Sequence, residues 1–232
     1  MIVQKPSTDN PKPRGAFIVF EGVDRCGKTT QVGLLVKHLM TAGLAAMAMN
    51  FPDRTTMVGD LINQYLKSKQ ELDDRSVHLL FSANRWEAVP KLEETLSEGT
   101  TIVCDRYAYS GVAFSSSKPN LATELEWCKS CDVGLPAPDA VIFLDITQEQ
   151  AEKRGGFGDE RYEQSDMQKQ VRKQFDKLQK EDEADGRVPW HFVNAAQTVD
   201  EVQHDINKIV ESTISSVQES KKPVGKLWKA EK

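Results

Sequence analysis

No run of 18 apolar residues occurs in this 232-residue chain, so the sequence predicts no membrane-spanning helix. The N-terminal MIVQKPSTDNPKPRG lacks the apolar centre of a secretory signal, and its prolines and polar filling predict a disordered leader over residues 1–14. Asp9 and sparse arginine also argue against a mitochondrial presequence. A basic excess is missing as well. The 30 Lys and Arg face 35 Asp and Glu, dispersed along the chain, and the net charge of −5 speaks against a nucleic-acid partner. Cysteine is sparse: Cys26, Cys104, Cys128 and Cys131 do not indicate a disulfide framework in a chain that reads as intracellular. Cys128 and Cys131 form one C-x-x-C, but with no second pair and no βα turn before it they read as two reduced thiols.

What is present is concentrated near the start. Ala16-Phe17-Ile18-Val19-Phe20 is an apolar, β-branched run that predicts a buried strand. Gly22 to Thr29 then matches G-x-x-x-x-G-K-[ST] in full, and Leu34, Leu35, Val36, Leu39 and Met40 follow at helical spacing. A strand before and a helix after are the context that a phosphate-binding P-loop requires. Gly22 and Gly27 admit backbone angles that turn successive N–H groups toward phosphate oxygens, and the helix N-terminus adds attraction. Lys28 can reach β- and γ-phosphates, and the Thr29 hydroxyl can ligate Mg²⁺. The chain is expected to bind a nucleoside triphosphate.

Downstream, apolar runs alternate with helical periodicity. Further strands are predicted over 44–51 (buried), 100–104, 141–145 and 190–193. Helices are predicted over 58–66, 73–96, 110–114, 121–128, 166–183 and 199–217. Within 73–96, Leu79, Leu80 and Ala83 are expected on the apolar side, and Pro90 is expected to kink or divide the helix. The alternation predicts one α/β domain over 15–218 with a parallel sheet and right-handed crossovers. The tail, 219–232, is expected to be exposed, with Trp228 docked on the surface. No internal repeat is visible.

The base-reading N-K-x-D of GTPases is absent. Between the strands stand FPDR (51–54), LLFSANRWE (79–87), DRYAYSGVAFS (105–115), CDVGLPAPD (131–139) and RGGFGDERYE (154–163). Together with FEGVDRCGKTTQ (20–31), they make the sequence resemble the eukaryotic-type thymidylate kinase family over nearly all of residues 15–215. The resemblance implies a P-loop kinase fold with a five-stranded parallel sheet of order 2-3-1-4-5 and a lid over about 153–163. It implies transfer of the ATP γ-phosphate to dTMP with Mg²⁺, a homodimer formed through helices flanking the sheet, and a cytoplasmic location.

The residue types suit that chemistry. Phe81 and Arg85 lie four apart on one predicted helix, so an aromatic that stacks on a base and a guanidinium that donates to a pyrimidine carbonyl share a face. The resemblance implies both contacts. Arg54 and Arg106 sit just past strand ends, where open α/β sheets bind ligands, and their forked donors match phosphate oxygens. The family uses both on the monophosphate. By the same resemblance, Asp105 stands near Mg²⁺ and the acceptor phosphate, Asp24 contacts the sugar hydroxyl, Phe114 lines the pocket, and Tyr162 closes over the nucleotide. Phe51, Leu66, Ser110 and Gly111 complete the implied dTMP site.

On the ATP side the implied set is Gly22, Cys26, Gly27, Lys28, Thr29 and Thr30, with Arg25 placing positive charge between donor and acceptor. Arg154 is expected near the adenine. Arg161 is expected near the phosphates or ordering the closed lid, whose Gly155, Gly156 and Gly158 would let it move. Arg25, Lys28, Asp105 and Arg106 form the expected catalytic set, and Thr29 and Asp105 the metal pair. A phosphate acceptor is anionic near neutral pH and needs no general base, unlike the hydroxyl of a nucleoside. Another pyrimidine monophosphate kinase, a deoxynucleoside kinase, or a catalytically silent nucleotide-binding partner remain the alternatives.

Overall fold

The structure, a computed structural model, describes residues 13–154, 161, 162 and 164–228. The expected leader up to Lys12 and the lid glycines Gly155, Gly156 and Gly158 lie outside the described residues. Five strands, β1 (Phe17–Glu21), β2 (Ala46–Asn50), β3 (Thr101–Asp105), β4 (Ala140–Asp145) and β5 (Trp190–Asn194), pair in parallel in the order β2-β3-β1-β4-β5. The helices are α1 (Lys28–Thr41), α2 (Met57–Leu66), α3 (Asp74–Ser97), α4 (Ala108–Ser116), α5 (Leu125–Ser130), α6 (Gln148–Glu152), α7 (Ser165–Asp185) and α8 (Val199–Ser220).

Alternate residues of the central strands feed two cores. Phe17, Val19, Ile102, Cys104 and Phe143 pack with Leu92 and Leu96 of α3, Val112 of α4 and Phe175 of α7. Ile18, Phe20, Val103, Ile142 and Leu144 point the other way, onto Leu35 and Leu39 of α1 and onto α8. Burial on both faces is why these strands read as unbroken apolar runs rather than alternating ones. α8 shows the complementary helical pattern, burying Val202, Ile206, Val210 and Ile214, one residue in every four. A capping box between Thr198 and Glu201 starts it.

Several expectations change. The second strand is not buried but an edge strand, mostly half-exposed or exposed, because only β3 flanks it. α3 passes through Pro90 as one helix; Pro90 is exposed, where water can take the carbonyl that its missing N–H leaves unpaired. Its buried face is not Leu79 and Ala83, which are exposed, but Val77, His78, Ser82, Asn84 and Arg85. α6 was not anticipated; a Thr147–Gln150 capping box defines this five-residue helix. Arg14, assigned to the disordered leader, pairs with Asp139 at 2.7 Å.

α8 runs on to Ser220, and beyond it residues 221–223, 225 and 226 are exposed, with one buried anchor. Leu227 is buried, its N–H donating to Leu135 O at 2.7 Å, while Gly134 N donates to Leu227 O. Trp228 packs edge-on to buried Tyr109, with ring centroids 5.5 Å apart. A leucine whose backbone bonds are satisfied by a loop of the domain stabilises the fold as any core leucine does.

His78 shows what a polar buried face implies. Its ring nitrogens meet Ser115 Oγ at 2.7 Å and Cys128 O at 2.9 Å. Burial first, and the charge of Arg85 next, lower its pKa from 6.5 to about 4. Unfolded, His78 takes up a proton near pH 6.5, whereas folded it resists until about pH 4. Stability is therefore lost as pH falls through that window, by roughly 3 kcal/mol at pH 4. Denaturant unfolding at pH 7 and pH 4.5 should show a smaller loss in His78→Gln than in the unsubstituted protein; equal losses would exclude His78 as the source.

Candidate active site

The P-loop leaves β1 at Gly22, whose φ of 141° no side-chain-bearing residue adopts readily, and a Cβ there would stand 2.8 Å from Leu144 O. The loop ends at Gly27, φ 99°, the residue before α1. Lys28 is buried, and its Nζ donates to Gly22 O at 3.2 Å and Val23 O at 2.8 Å, with Cys26 Sγ at 3.4 Å. The ammonium thus lies inside the curl of the loop. Two arginines nearby, Arg25 (φ 63°) and Arg106 (φ 67°), hold left-handed backbone angles, which cost a residue with a Cβ about 1–2 kcal/mol each.

What holds Arg106 in place is Glu21, a carboxylate with no solvent exposure at the end of β1. Its Oε1 accepts from Tyr107 N and Ser110 N, both at 3.0 Å, and its Oε2 from the Ser110 hydroxyl. The carboxylate therefore sits on the N-terminus of α4, where backbone donors and the helix dipole favour it. Burial still raises its pKa, against the charge of Arg106 and these hydrogen bonds. Arg106 donates through Nη1 to Ser110 Oγ at 2.9 Å and Gly22 O at 3.2 Å, and through Nη2 to Asp24. Burial opposes its charge, but Asp24, Asp105 and Glu21 outweigh it and hold its pKa above the ordinary arginine value.

All eleven residues assigned to dTMP from the sequence line one cavity. Phe81 and Arg85 reach it from α3, Ser110, Gly111 and Phe114 from α4, and Leu66 from the end of α2. Phe51 and Arg54 flank Pro52, whose peptide bond with Phe51 is cis. Arg54 Nη1 donates to Asn63 Oδ1 at 3.1 Å. Tyr162 packs on Phe114 with centroids 5.5 Å apart. Asp24, Arg54 and Arg106 line this cavity and also the adjoining one, which contains Arg25, Gly27, Lys28, Thr29, Thr30 and Asp105.

On the far side of the P-loop, Arg154 Nη1 donates to Cys26 O at 2.8 Å and its Nη2 to Ala195 O. It clamps the loop to the segment after β5, beside a third cavity lined by Cys26, Thr30, Gln31, Gln197 and Val199. Arg161 is not brought there. It lies against α2 and the turn beyond, with Nε on Tyr65 O, its backbone N on Leu66 O, and Glu71 at 2.6 Å. These contacts tether it to α2, and it lines none of the cavities around the P-loop.

Thr29 and Asp105 converge. The Thr29 hydroxyl donates to Asp105 Oδ2 at 2.6 Å. Two hard oxygen donors at the rim of a phosphate loop suit Mg²⁺, which takes few protein ligands and fills its octahedron with water and phosphate oxygens. Among the described residues no group of three or more His, Cys, Asp or Glu gathers as a self-sufficient metal cage. The four cysteines are free.

Sequence reasoning passed over Glu21, Gln168 and Asp132. Glu21 carried a signal, being the one acidic residue closing an otherwise apolar strand. Gln168 carried none: from α7 its Nε2 meets Asp24 Oδ2 at 2.6 Å and Tyr162 O at 2.8 Å, while its Oε1 accepts from Asp24 N at 3.0 Å. It thereby ties the P-loop to the segment carrying Tyr162. Tyr107, Ser115 and Pro52 also line this cavity, and the buried Tyr107 hydroxyl has no hydrogen-bond partner among the described residues.

This geometry agrees with similarities to known proteins. A family model described as thymidylate kinase matches residues 20–206. Thymidylate kinase of Danio rerio is 50% identical over 93% of this chain and 98% of its own length. The Homo sapiens thymidylate kinase is 49% identical over the same shares. The solved structure of thymidylate kinase from Candida albicans superposes with a TM-score of 0.79 at 35% identity, covering 88% of this chain and 94% of that one. A family match over most of the chain, on a P-loop and acceptor cavity assembled as described, leaves one conclusion: the chain is a member of the thymidylate kinase family.

Proposed function

We propose that this chain catalyses ATP + dTMP → ADP + dTDP with Mg²⁺ accompanying the ATP. The observation that carries the reading is the wall common to the two cavities, where Asp24, Arg54 and Arg106 stand beside Phe51 and Pro52. A monophosphate gripped by Arg54 and Arg106 faces, across that wall, a triphosphate end held by Gly27, Lys28 and the N-terminus of α1. Transfer then rests on positioning and fixed charge. Arg25 and Lys28 offset charge developing between donor and acceptor. Thr29 and Asp105 would hold the metal ion, which when bound neutralises phosphate oxygens.

The remaining residues select and enclose the substrates. Phe81 stacks on the base and Arg85 donates to its carbonyl edge. Phe51, Leu66, Gly111 and Phe114 shape the apolar wall, Asp24 and Ser110 serve the sugar and phosphate end, and Tyr162 covers the nucleotide. Arg154 lies beside the adenine and Arg161 orders the lid. No general base is required, since the attacking phosphate oxygen is already anionic. A pair of arginines for an existing phosphate favours dTMP over thymidine as acceptor.

We also infer a homodimer and a cytosolic location; four free thiols fit the latter. For the dimer, Met57 and Leu61 of α2 and Leu79 and Trp86 of α3 are exposed apolar side chains on two helices that pack together. Such a patch is expected to be covered by a partner.

ADP release with Mg²⁺–ATP and dTMP, dUMP, UMP, CMP, AMP, GMP or thymidine offered separately tests the reaction. Strong turnover with dTMP, weaker with dUMP and almost none with the others is expected; turnover with thymidine instead would overturn the Arg54–Arg106 assignment. Lys28→Ala should lower turnover by about 10³-fold, the scale of a lost charge clamp in phosphoryl transfer. Near-normal turnover would remove Lys28 from the mechanism. Sedimentation should give twice the mass of one chain, falling to one in Met57→Glu/Leu79→Glu. A single-chain mass before substitution would exclude the dimer.

A further inference from the structure

CDVGLPAPD contributes no residue to either cavity's expected chemistry, yet its Asp132 has no solvent exposure and faces Arg85. Arg85 Nη2 donates to Asp132 Oδ2 at 2.5 Å and Nε to Oδ1 at 3.2 Å, a forked pair. Ser82 Oγ, one helical turn before Arg85, lies 2.7 Å from the same Oδ1. Opposite, the guanidinium fills the space over Gly111, where a Cβ would stand 2.7 Å from Nη2 and 2.8 Å from Nη1. Arg85 is thus fixed from both sides. Asp132 occupies the Nε–H and one Nη2–H, which leaves the Nη1 donors and the second Nη2 proton for the cavity that Arg85 lines.

Building on the proposed dTMP site, we propose that Asp132 is a positioning residue that aims Arg85 and thereby sets discrimination at the base edge. A guanidinium free to rotate can swing away from a mismatched base. One locked by a buried carboxylate presents donors only, so it accepts a carbonyl oxygen, as on thymine, and rejects an amino group, as on cytosine. Asp132 does this without touching the nucleotide. Its carboxylate also balances the Arg85 charge, which at 2% exposure would otherwise be buried uncompensated.

Steady-state kinetics of Asp132→Asn with dTMP, dCMP and ATP tests this. The KM for dTMP should rise about tenfold, the equivalent of one charged hydrogen bond, while kcat and the KM for ATP stay within about twofold. The dTMP:dCMP ratio of kcat/KM should narrow. In an Arg85→Met background the same substitution should add less than about twofold, because it acts only through the missing side chain. Should Asp132→Asn fail to fold, Ser82→Ala carries the test, with a smaller rise in the dTMP KM of about fivefold, because Arg85 keeps its own bonds to the Asp132 carboxylate. Equal rises in the dTMP and ATP KM, an unchanged base ratio, or full additivity with Arg85→Met would overturn the proposal while leaving dTMP turnover by the unsubstituted protein intact. Absence of that turnover would overturn the base site itself.

Discussion

A dehydrated carboxylate joins the two halves of the site. Glu21 ends β1 one residue before the P-loop, and its oxygens are taken by the N-terminus of α4 and the Ser110 hydroxyl, which also receives Arg106. The donor loop and the acceptor arginine are thereby fixed to one another through a single side chain. Burying a carboxylate is costly unless donors and positive charge surround it, and here both do. Arg106 holds its left-handed backbone within this frame, its N–H donating to Phe20 O and the next N–H, of Tyr107, to Glu21.

Around that frame, charge is used in pairs. Arg106 faces Asp24, Arg85 faces Asp132, and Arg161 faces Glu71. Arg85–Asp132 is buried and Arg106–Asp24 half-buried, where an unpaired guanidinium is expensive and a paired one is held in a single orientation. Orientation is what phosphoryl transfer needs, since its transition state is stabilised by charges that need not reorganise. Arg161–Glu71 is more exposed on the carboxylate side, and its contribution is geometric: it keeps the residue next to Tyr162 on α2.

Local signals were legible and distant ones were not. The P-loop could be read because one stretch holds its strand, glycines, lysine and threonine together. The order of the sheet and the set of residues that line one cavity came through family resemblance, since periodicity says nothing of which strand lies beside which. α3 misled because its inward face is polar: His78 meets Ser115 and Cys128, Asn84 meets Asp53 and Arg85 meets Asp132, while Leu79 and Ala83 are exposed. Asp132 and Gln168 were invisible because their partners lie 47 and 144 residues away. The burial of Leu227 was missed for a similar reason: it is an ordinary leucine until the loop at Leu135 receives it.

In the proposed reaction two phosphates meet directly across the wall of Asp24, Arg54 and Arg106, with no side chain carrying the transferred group. The stereochemical course tests this most directly: ATP made chiral at its γ-phosphorus by oxygen isotopes, with dTMP as acceptor, and the configuration of the dTDP β-phosphorus read by NMR. A single in-line displacement predicts inversion. Retention would mean two successive transfers through a phosphorylated side chain, and would contradict the account.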